Sequence, residues 1–211
     1  MELRLITAGE SHGPGLTCVV EGLPAGLELD REAMDRDMAR RQLGHGRGGR
    51  MKIETDHAIV TSGVRHGRTM GGPIALTVPN RDYQNWEERM NPWPVEAAVP
   101  EVHLPRPGHA DLVGTWKYRL TDVRDVLERA SARETAARVA AGALARQLLA
   151  AFGVEIASHV LALGPLPEGG LPDVPWEEVT AVGDDRPLRC ADASLEARMV
   201  EEVDRARRAG D

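Results

Sequence analysis

Two histidines lie in short glycine-containing segments that are far apart in the chain. His12 stands in the segment Gly-Glu-Ser-His-Gly at positions 9–13, and His109 stands in Arg-Pro-Gly-His-Ala-Asp at positions 106–111. Imidazole is the side chain that titrates nearest to neutral pH, and glycine lets a backbone approach a ligand closely. The two segments are therefore candidates for a site that handles protons.

Neighbouring residues in both segments can orient the imidazole rings. Ser11 lies beside His12, and Asp111 lies close enough to His109 to set the tautomer of its ring. The turn formed by Arg106, Pro107 and Gly108 is rigid enough to present His109 at a fixed angle. Taken singly, either histidine has an ordinary structural explanation as well.

An arginine-glycine tract at positions 40–50 lies between the two histidine segments. It carries four arginines and four glycines around His45. Guanidinium groups pair with carboxylates and phosphates, and backbone amides freed of side-chain bulk add further donors. The tract alone leaves three interpretations open: a binding loop for a small anion, an exposed turn with solvated arginines, or a nucleic-acid contact.

The composition narrows the class of protein. The chain has 211 residues, a formal net charge of −7 and 3% aromatic residues, so we expect neither nucleic acid nor an acidic membrane as the main partner. No run is apolar enough to span a membrane, and the N-terminus, Met1 to Ile6, lacks the long apolar run of a signal peptide, so we expect an untargeted protein. Cys18 and Cys190 are interpreted as reduced thiols of a cytoplasmic protein. The histidines show no metal-ligand spacing, so we expect no metal site.

The pattern of apolar residues predicts which elements carry these segments. Residues 3–8 and 15–21 are predicted strands with His12 in the loop between them, and Asp30 is a predicted helix N-cap. Further strands are predicted within Met51 to Ser62 and Pro73 to Val78. This half of the chain therefore indicates an antiparallel sheet.

The second half changes to helical periodicity. Ser131 to Glu134 match a capping box, and a stripe of small residues follows at helical spacing. Val154 to Leu163 are predicted to return to a strand, residues 165–187 contain five prolines and indicate an irregular connection, and Ser194 to Ala209 are a predicted helix. Because strands and helices come in blocks, the expected fold class is α+β.

Taken together, the motifs closely resemble the chorismate synthase family. The resemblance covers about residues 1–163 almost continuously, and its motifs follow that family's order. The segments that carry it are residues 9–13, 40–51, 62–67, 71–74, 106–111 and 127–135.

This resemblance implies a fold and an activity. The fold is a β-α-β sandwich in which antiparallel sheets enclose a helical layer, usually assembled as a homotetramer. The activity is the last step of the shikimate pathway, in which 5-enolpyruvylshikimate 3-phosphate loses phosphate by 1,4-elimination to give chorismate. The family uses reduced FMN (FMNH2), and because no nicotinamide-binding domain is recognisable, we expect an external flavin reductant.

The resemblance also implies roles for individual residues. As catalytic residues it implies His12, beside the departing phosphate, and His109, which protonates the reduced flavin. The implied substrate-binding residues are Arg41, Arg47, Arg50, Ser11 and Arg133. The implied cofactor-binding residues are Arg129, Ala130, Ser131 and His109.

Family members continue well beyond position 211. We therefore expect residues 1–211 to be the N-terminal part of a single catalytic domain whose C-terminal part is absent, and to be nearly inactive alone. Two alternatives remain: a noncatalytic nucleic-acid-binding module that uses the arginine-glycine tract, and a fragment that keeps the fold without the activity.

Overall fold

The computed structural model describes residues 2–47, 54–166 and 170–210. Its centre is a four-stranded antiparallel sheet. In spatial order its strands are β1 (Arg4–Gly9), β2 (Gly15–Glu21), β6 (Ile74–Pro79) and β3 (Ile59–Ser62). The predicted strand-loop-strand arrangement around His12 is confirmed, because β1 and β2 pair directly.

One face of this sheet forms the main core. Alternate residues of the two central strands point to that face and are almost fully buried: Leu16, Cys18 and Val20 of β2, and Ile74, Leu76 and Val78 of β6. This period of two is what a sheet with one covered face requires. Burial also raises the pKa of the Cys18 thiol to about 11, so at neutral pH it is a protonated apolar side chain.

Helix α4 (Thr135–Ala150) packs on this face, and α1 (Arg31–Arg40) packs on α4 and adds Met34 and Met38 to the same core. Asp30 caps α1 by accepting a hydrogen bond from the amide of Ala33, as predicted. The buried side of α4 consists mainly of alanines, which let the helix lie close to the sheet. With one antiparallel sheet and a helical layer beside it, the described residues confirm the α+β class.

A small ribbon and four further α-helices of the described residues complete the fold. A two-stranded ribbon consists of β4 (Val64–Arg65) and β5 (Arg68–Thr69). The remaining helices are α2 (Asp111–Tyr118), α3 (Arg124–Leu127), α5 (Trp176–Thr180) and α6 (Ala193–Ala209). The predicted last helix is confirmed as α6, which ends at Gly210 with a φ of 77°. No helix in the described ranges is long and apolar enough to cross a membrane.

The strand predicted between Met51 and Ser62 is much shorter in the structure. Residues 51–53 lie outside the described part, and only Ile59–Ser62 pair in the sheet. Residues 54–58 form no strand, and the side-chain amide of Gln42 binds their backbone: its Nε2 donates to the carbonyl of Glu54, and its Oε1 accepts from the amide of Asp56. The alternation in this segment therefore reflects two buried carboxylates.

The prediction of a strand at Val154 to Leu163 is wrong for the described structure. These residues form no strand, and the backbone hydrogen bond that joins them to the later chain runs from the amide of Val160 to the carbonyl of Arg189. Val154 and Ile156 are exposed. A strand needs a partner for its alternate amides and carbonyls, and the described ranges supply none here.

The capping box is only half formed. The hydroxyl of Ser131 accepts from the amide of Arg133 at 3.3 Å, as a capping serine does. Glu134 instead accepts from the hydroxyl of Thr7 and from Arg138, both at 2.7 Å. Because Thr7 lies in β1, Glu134 links the start of α4 to the sheet and does not complete the capping box with Ser131.

Candidate active site

The loop that carries His12 is held from two sides. On one side, the amides of Ser11 and His12 donate to Glu128, to its backbone carbonyl at 3.0 Å and to its carboxylate at 2.8 Å. On the other side, the side-chain Nδ2 of Asn80 donates to the carbonyl oxygens of Glu10 and Gly13 at 3.1 and 2.7 Å. The loop therefore has a fixed backbone on which His12 can be positioned.

The imidazole of His12 is fixed as well. Its Nδ1 lies 2.9 Å from both carboxylate oxygens of Glu128, and its ring stacks on Trp86 with centroids 3.9 Å apart and an interplanar angle of 25°. The side chain retains 22% exposure. In the described part of the chain Nε2 makes no hydrogen bond, so this nitrogen is available to a ligand.

Glu128 is an ionised buried carboxylate. Only 1% of its side chain is exposed, and burial by itself would raise its pKa. The hydrogen bonds from the ring and amide of His12 and the charges of His12 and Arg124 outweigh burial and lower the pKa of Glu128 below its ordinary value. Arg124 contacts this carboxylate at 3.3 Å and also lies over the ring of Trp86.

His109 has an equivalent carboxylate partner. Its Nδ1 lies 2.5 Å from Asp111, which is fully buried at the start of α2. Arg106 binds the same carboxylate through its backbone amide and its Nε, both at 2.9 Å. The hydrogen bond from the Arg106 side chain is the main reason why the pKa of Asp111 lies well below its usual range. The expected orientation of His109 by Asp111 is therefore confirmed.

The fold brings the two histidine segments close to each other. The pKa of Arg106 is raised chiefly by its hydrogen bond to Asp111, and the negative charge of Glu128 contributes as well. The Coulomb field of a carboxylate is appreciable only over short distances in a protein. Arg106 therefore binds the carboxylate that holds His109 and lies within electrostatic range of the carboxylate that holds His12.

Two of the predicted substrate-binding arginines share one buried carboxylate. Arg41 donates to one oxygen of Asp56 at 2.7 Å, and Arg133 donates to the other. Arg133 is 5% exposed and also donates from Nε to Asn80 at 2.8 Å. Burial lowers the pKa of Arg41, an effect that the charge of Asp56 opposes. The structure therefore holds both guanidiniums in place through internal partners.

In the described part of the arginine-glycine tract, His45 lies against the last helix. Arg47 is exposed, and its Nε donates to the carbonyl of Leu43 at 2.9 Å. His45 binds Asp204 of α6 at 2.8 Å, and its amide donates to the carbonyl of Pro187 at 2.7 Å. Arg50 lies outside the described residues, so its predicted role stays a prediction.

The predicted cofactor segment follows Glu128 directly. Arg129 donates from Nη2 to the carbonyl and the hydroxyl of Thr7 at 3.0 and 2.7 Å. Its Nη1 is enclosed, lies 3.6 Å from Glu134, and has no hydrogen-bond partner among the described residues. Ala130 is exposed, and Ser131 is partly exposed. An enclosed cationic nitrogen beside an open turn suits an anionic ligand group.

Several residues of this cluster have no role in the sequence-based predictions. The partner carboxylates Glu128 and Asp56, the stacking ring of Trp86 and the bridging amide of Asn80 depend on contacts across long stretches of sequence. Glu54 and Asp56 are buried and alternate with the exposed residues Thr55 and His57. This spacing of two is the one pattern that could have indicated buried acids. Nothing in the sequence around Trp86 indicates that its ring meets His12.

A separate cavity of about 510 Å³ lies elsewhere in the fold. It is bordered by the ends of α1 and α4, by residues 154–157 and by α5, and includes Arg40, Arg146 and Trp176. Neither histidine borders it. Because the groups that can transfer protons lie at His12 and His109, we place the candidate site there. The described residues include no cluster of histidine, cysteine and acidic side chains that could hold a metal ion.

Known proteins similar to this chain share one description. The family model described as chorismate synthase matches residues 3–211. The chorismate synthase of Symbiobacterium thermophilum is 55% identical over 99% of this chain and 55% of that protein, and that of Rubrobacter xylanophilus is 53% identical over 100% of this chain and 54% of that protein.

A solved structure gives the same result for the fold. A crystal structure of chorismate synthase matches with a TM-score of 0.75 and 36% sequence identity, over 100% of this chain and 55% of that chain. The chain thus spans about half the length of the curated relatives that it matches.

Proposed function

The chain belongs to the chorismate synthase family, and we propose that it supplies the proton-handling part of an enzyme that makes chorismate from 5-enolpyruvylshikimate 3-phosphate by 1,4-elimination of phosphate. The observation that supports this most strongly is the pair of carboxylate-bound histidines, His12 with Glu128 and His109 with Asp111. In this proposal, residues 1–211 are the N-terminal part of a single catalytic domain.

His12 is proposed to act at the departing phosphate. Its Nδ1 is bound by Glu128, so Nε2 is the nitrogen that can donate a proton. As the allylic carbon-oxygen bond breaks, the phosphate gains negative charge, and a proton from Nε2 stabilises it. Ser11 lies beside His12 and is proposed to contact the substrate at the same place.

The arginines are proposed to neutralise the substrate, which carries two carboxylates and one phosphate. Burying such an anion is unfavourable unless cations are paired with it. Arg47 is exposed and available for direct contact, and Arg50 is assigned the same role. Arg41 and Arg133 are positioned beforehand by Asp56, so they lose little side-chain freedom when the substrate binds.

The cofactor-binding residues are proposed to be Arg129, Ala130, Ser131 and His109, with reduced FMN as the cofactor. These residues fit the group, because Arg129 offers an enclosed Nη1 without a hydrogen-bond partner among the described residues. When bound, reduced FMN supplies electron density to the breaking carbon-oxygen bond and recovers it as the ring hydrogen leaves. His109 holds a proton at the flavin, and Asp111 fixes the ring that holds it.

The location, oligomeric state and reductant of the enzyme are proposed by analogy with its family. We propose a cytoplasmic homotetramer that receives reduced flavin from an external reductant. A nucleic-acid-binding role for the arginine-glycine tract is not favoured, because Arg41 is directed to Asp56 and His45 to Asp204 within the protein.

An anaerobic assay tests this function. The full-length protein, supplied with chemically reduced FMN and 5-enolpyruvylshikimate 3-phosphate, should release chorismate and phosphate in equal amounts. Residues 1–211 alone should bind FMN poorly and turn over negligibly. Absence of both products from the correctly folded full-length protein would refute the proposal, and turnover by residues 1–211 would refute the assignment of these residues as an incomplete domain.

A further inference from the structure

Glu128 binds the loop of His12 through both its backbone carbonyl and its carboxylate. Its backbone carbonyl binds the amide of Ser11, one carboxylate oxygen binds the amide of His12, and both oxygens lie 2.9 Å from Nδ1 of the His12 ring. These contacts span 116 residues of sequence and come from the end of a four-residue helix, α3. One residue thus fixes both the backbone and the ring of His12.

The surroundings of Glu128 keep it negatively charged. It is 1% exposed, and Arg124 contacts it at 3.3 Å. An anionic carboxylate accepts hydrogen bonds and donates none, so the atom of His12 that faces it must carry a proton. The neutral ring is then protonated on Nδ1 and has its lone pair on Nε2. When the ring is cationic, the proton that it can transfer is the one on Nε2.

Trp86 removes the remaining freedom of the ring. The stacking at 3.9 Å leaves His12 little room to flip about its last torsion angle. Trp86 is itself anchored, because its Nε1 donates to Asp82 at 3.1 Å. A flip would put Cδ2 in the place of Nδ1 and break the hydrogen bond to Glu128, so carboxylate and indole together select one orientation.

We propose that Glu128 is the positioning residue of His12, which keeps the Nδ1 proton in place and so presents Nε2 to the departing phosphate. This inference rests on the proposed function for the identity of the ligand, but its structural part, the tautomer of His12, does not. Glu128 does not touch the substrate and acts only through the imidazole.

Replacement of Glu128 by glutamine is the sharpest test, because the shape is kept and the charge is lost. The partners of its two oxygens are all N–H donors: the ring and amide of His12, and Arg124. A side-chain amide accepts hydrogen bonds only through its oxygen. In Glu128→Gln the NH2 group therefore faces one of these N–H donors and cannot accept its hydrogen bond.

Glu196 offers a matched control. It is also buried, at 5% exposure, and its carboxylate binds Arg186 and the amides of Leu188 and Cys190. Glu196→Gln therefore removes a comparable buried carboxylate at a place that has no contact with His12. Any effect of general destabilisation should be visible in both variants.

The tautomer of His12 can be measured directly by ¹⁵N chemical shifts in the full-length protein labelled with ¹⁵N-histidine, at a pH where the ring is neutral. The wild type and Glu196→Gln should show a His12 ring protonated on Nδ1. Glu128→Gln should show a mixture or the Nε2-protonated form. A pure Nδ1-protonated ring in Glu128→Gln would overturn the inference, whether or not the protein makes chorismate.

Kinetics provide the second measurement. In the full-length enzyme, Glu128→Gln should lower kcat by about 100-fold and change KM less than about threefold, because a general acid contributes mainly to the chemical step. The double variant His12→Ala/Glu128→Gln should be within about twofold of His12→Ala alone, since residues that act as one unit are not additive. Losses that multiply would show that Glu128 acts independently of His12.

The two measurements separate the possible failures. If the wild type makes no chorismate, the proposed function fails, and the tautomer still decides the role of Glu128. If the wild type is active but Glu128→Gln retains its kcat, only the role of Glu128 fails.

Discussion

The side-chain amide of Asn80 donates to the carbonyl oxygen of Gly13 at 2.7 Å. The oxygen of the same amide accepts from Nε of Arg133 at 2.8 Å. A single buried asparagine at the end of β6 thus joins the loop of His12 to the arginine pair on Asp56. One side chain therefore connects the loop of His12 to the two arginines that share Asp56.

Replacement of Asn80 by alanine should destabilise the fold. It leaves the carbonyls of Glu10 and Gly13 and the Nε of Arg133 without their buried partner, which costs about 2 kcal/mol in free energy of unfolding. Urea unfolding monitored by circular dichroism measures this. Asn85→Ala, which removes one exposed hydrogen bond to Asp82, is the control and should cost less than about 0.5 kcal/mol. Equal effects of the two substitutions would contradict the bridging role.

Asp56 should be far more important for stability than a surface acid. Asp56→Asn leaves Arg41 and Arg133 without their shared negative partner, and breaking a buried pair in this way costs about 3 kcal/mol. Asp35→Asn removes the exposed pair with Arg31 and should change stability by less than about 1 kcal/mol. Chemical denaturation of both variants makes the comparison, and a small effect at Asp56 would show that the arginines find other partners.

The contribution of Asp111 should depend on pH in a defined direction. Its pKa in the folded protein is held below the ordinary value, chiefly by the hydrogen bond from Arg106. The stabilisation is therefore fully present above the unfolded-state pKa of about 4 and is lost as the pH falls further. The difference in unfolding free energy between the wild type and Asp111→Asn should be large at pH 7 and shrink below about pH 4. A difference independent of pH would contradict this assignment.

His109 and Arg47 should affect different kinetic parameters. In the full-length enzyme, His109→Ala should lower kcat by about 100-fold with little change in KM, because it removes a proton donor. Arg47→Ala should chiefly raise KM, because it removes a binding charge. Arg31→Ala, at an exposed arginine on α1, is the control for a general loss of positive charge and should change neither parameter. Small and equal effects at His109 and Arg47 would argue against both roles.

Local sequence patterns predicted the elements whose structure is determined locally. The alternation in β2 and β6, the Asp30 cap and the alanine stripe of α4 each specify an element without knowledge of the rest of the fold. The segment from Val154 to Leu163 has the same apolar character as these strands. It was mispredicted because strand formation depends on a pairing partner, which apolar alternation does not reveal.

The site was predictable only in part, for a related reason. Histidine and arginine could be identified from their chemistry, and Asp111 from its closeness in sequence to His109. The carboxylates that bind His12 and Arg133, and the ring of Trp86, come from distant parts of the chain. The sequence therefore indicated which groups could do chemistry, but not which partners hold them.

The most direct measurement is a crystal structure of the full-length protein with oxidised FMN and 5-enolpyruvylshikimate 3-phosphate. The account predicts Nε2 of His12 about 3 Å from the phosphate of the substrate, with His109 at the flavin ring. Ligands bound away from both histidines, or an Nε2 of His12 directed away from the phosphate, would contradict it.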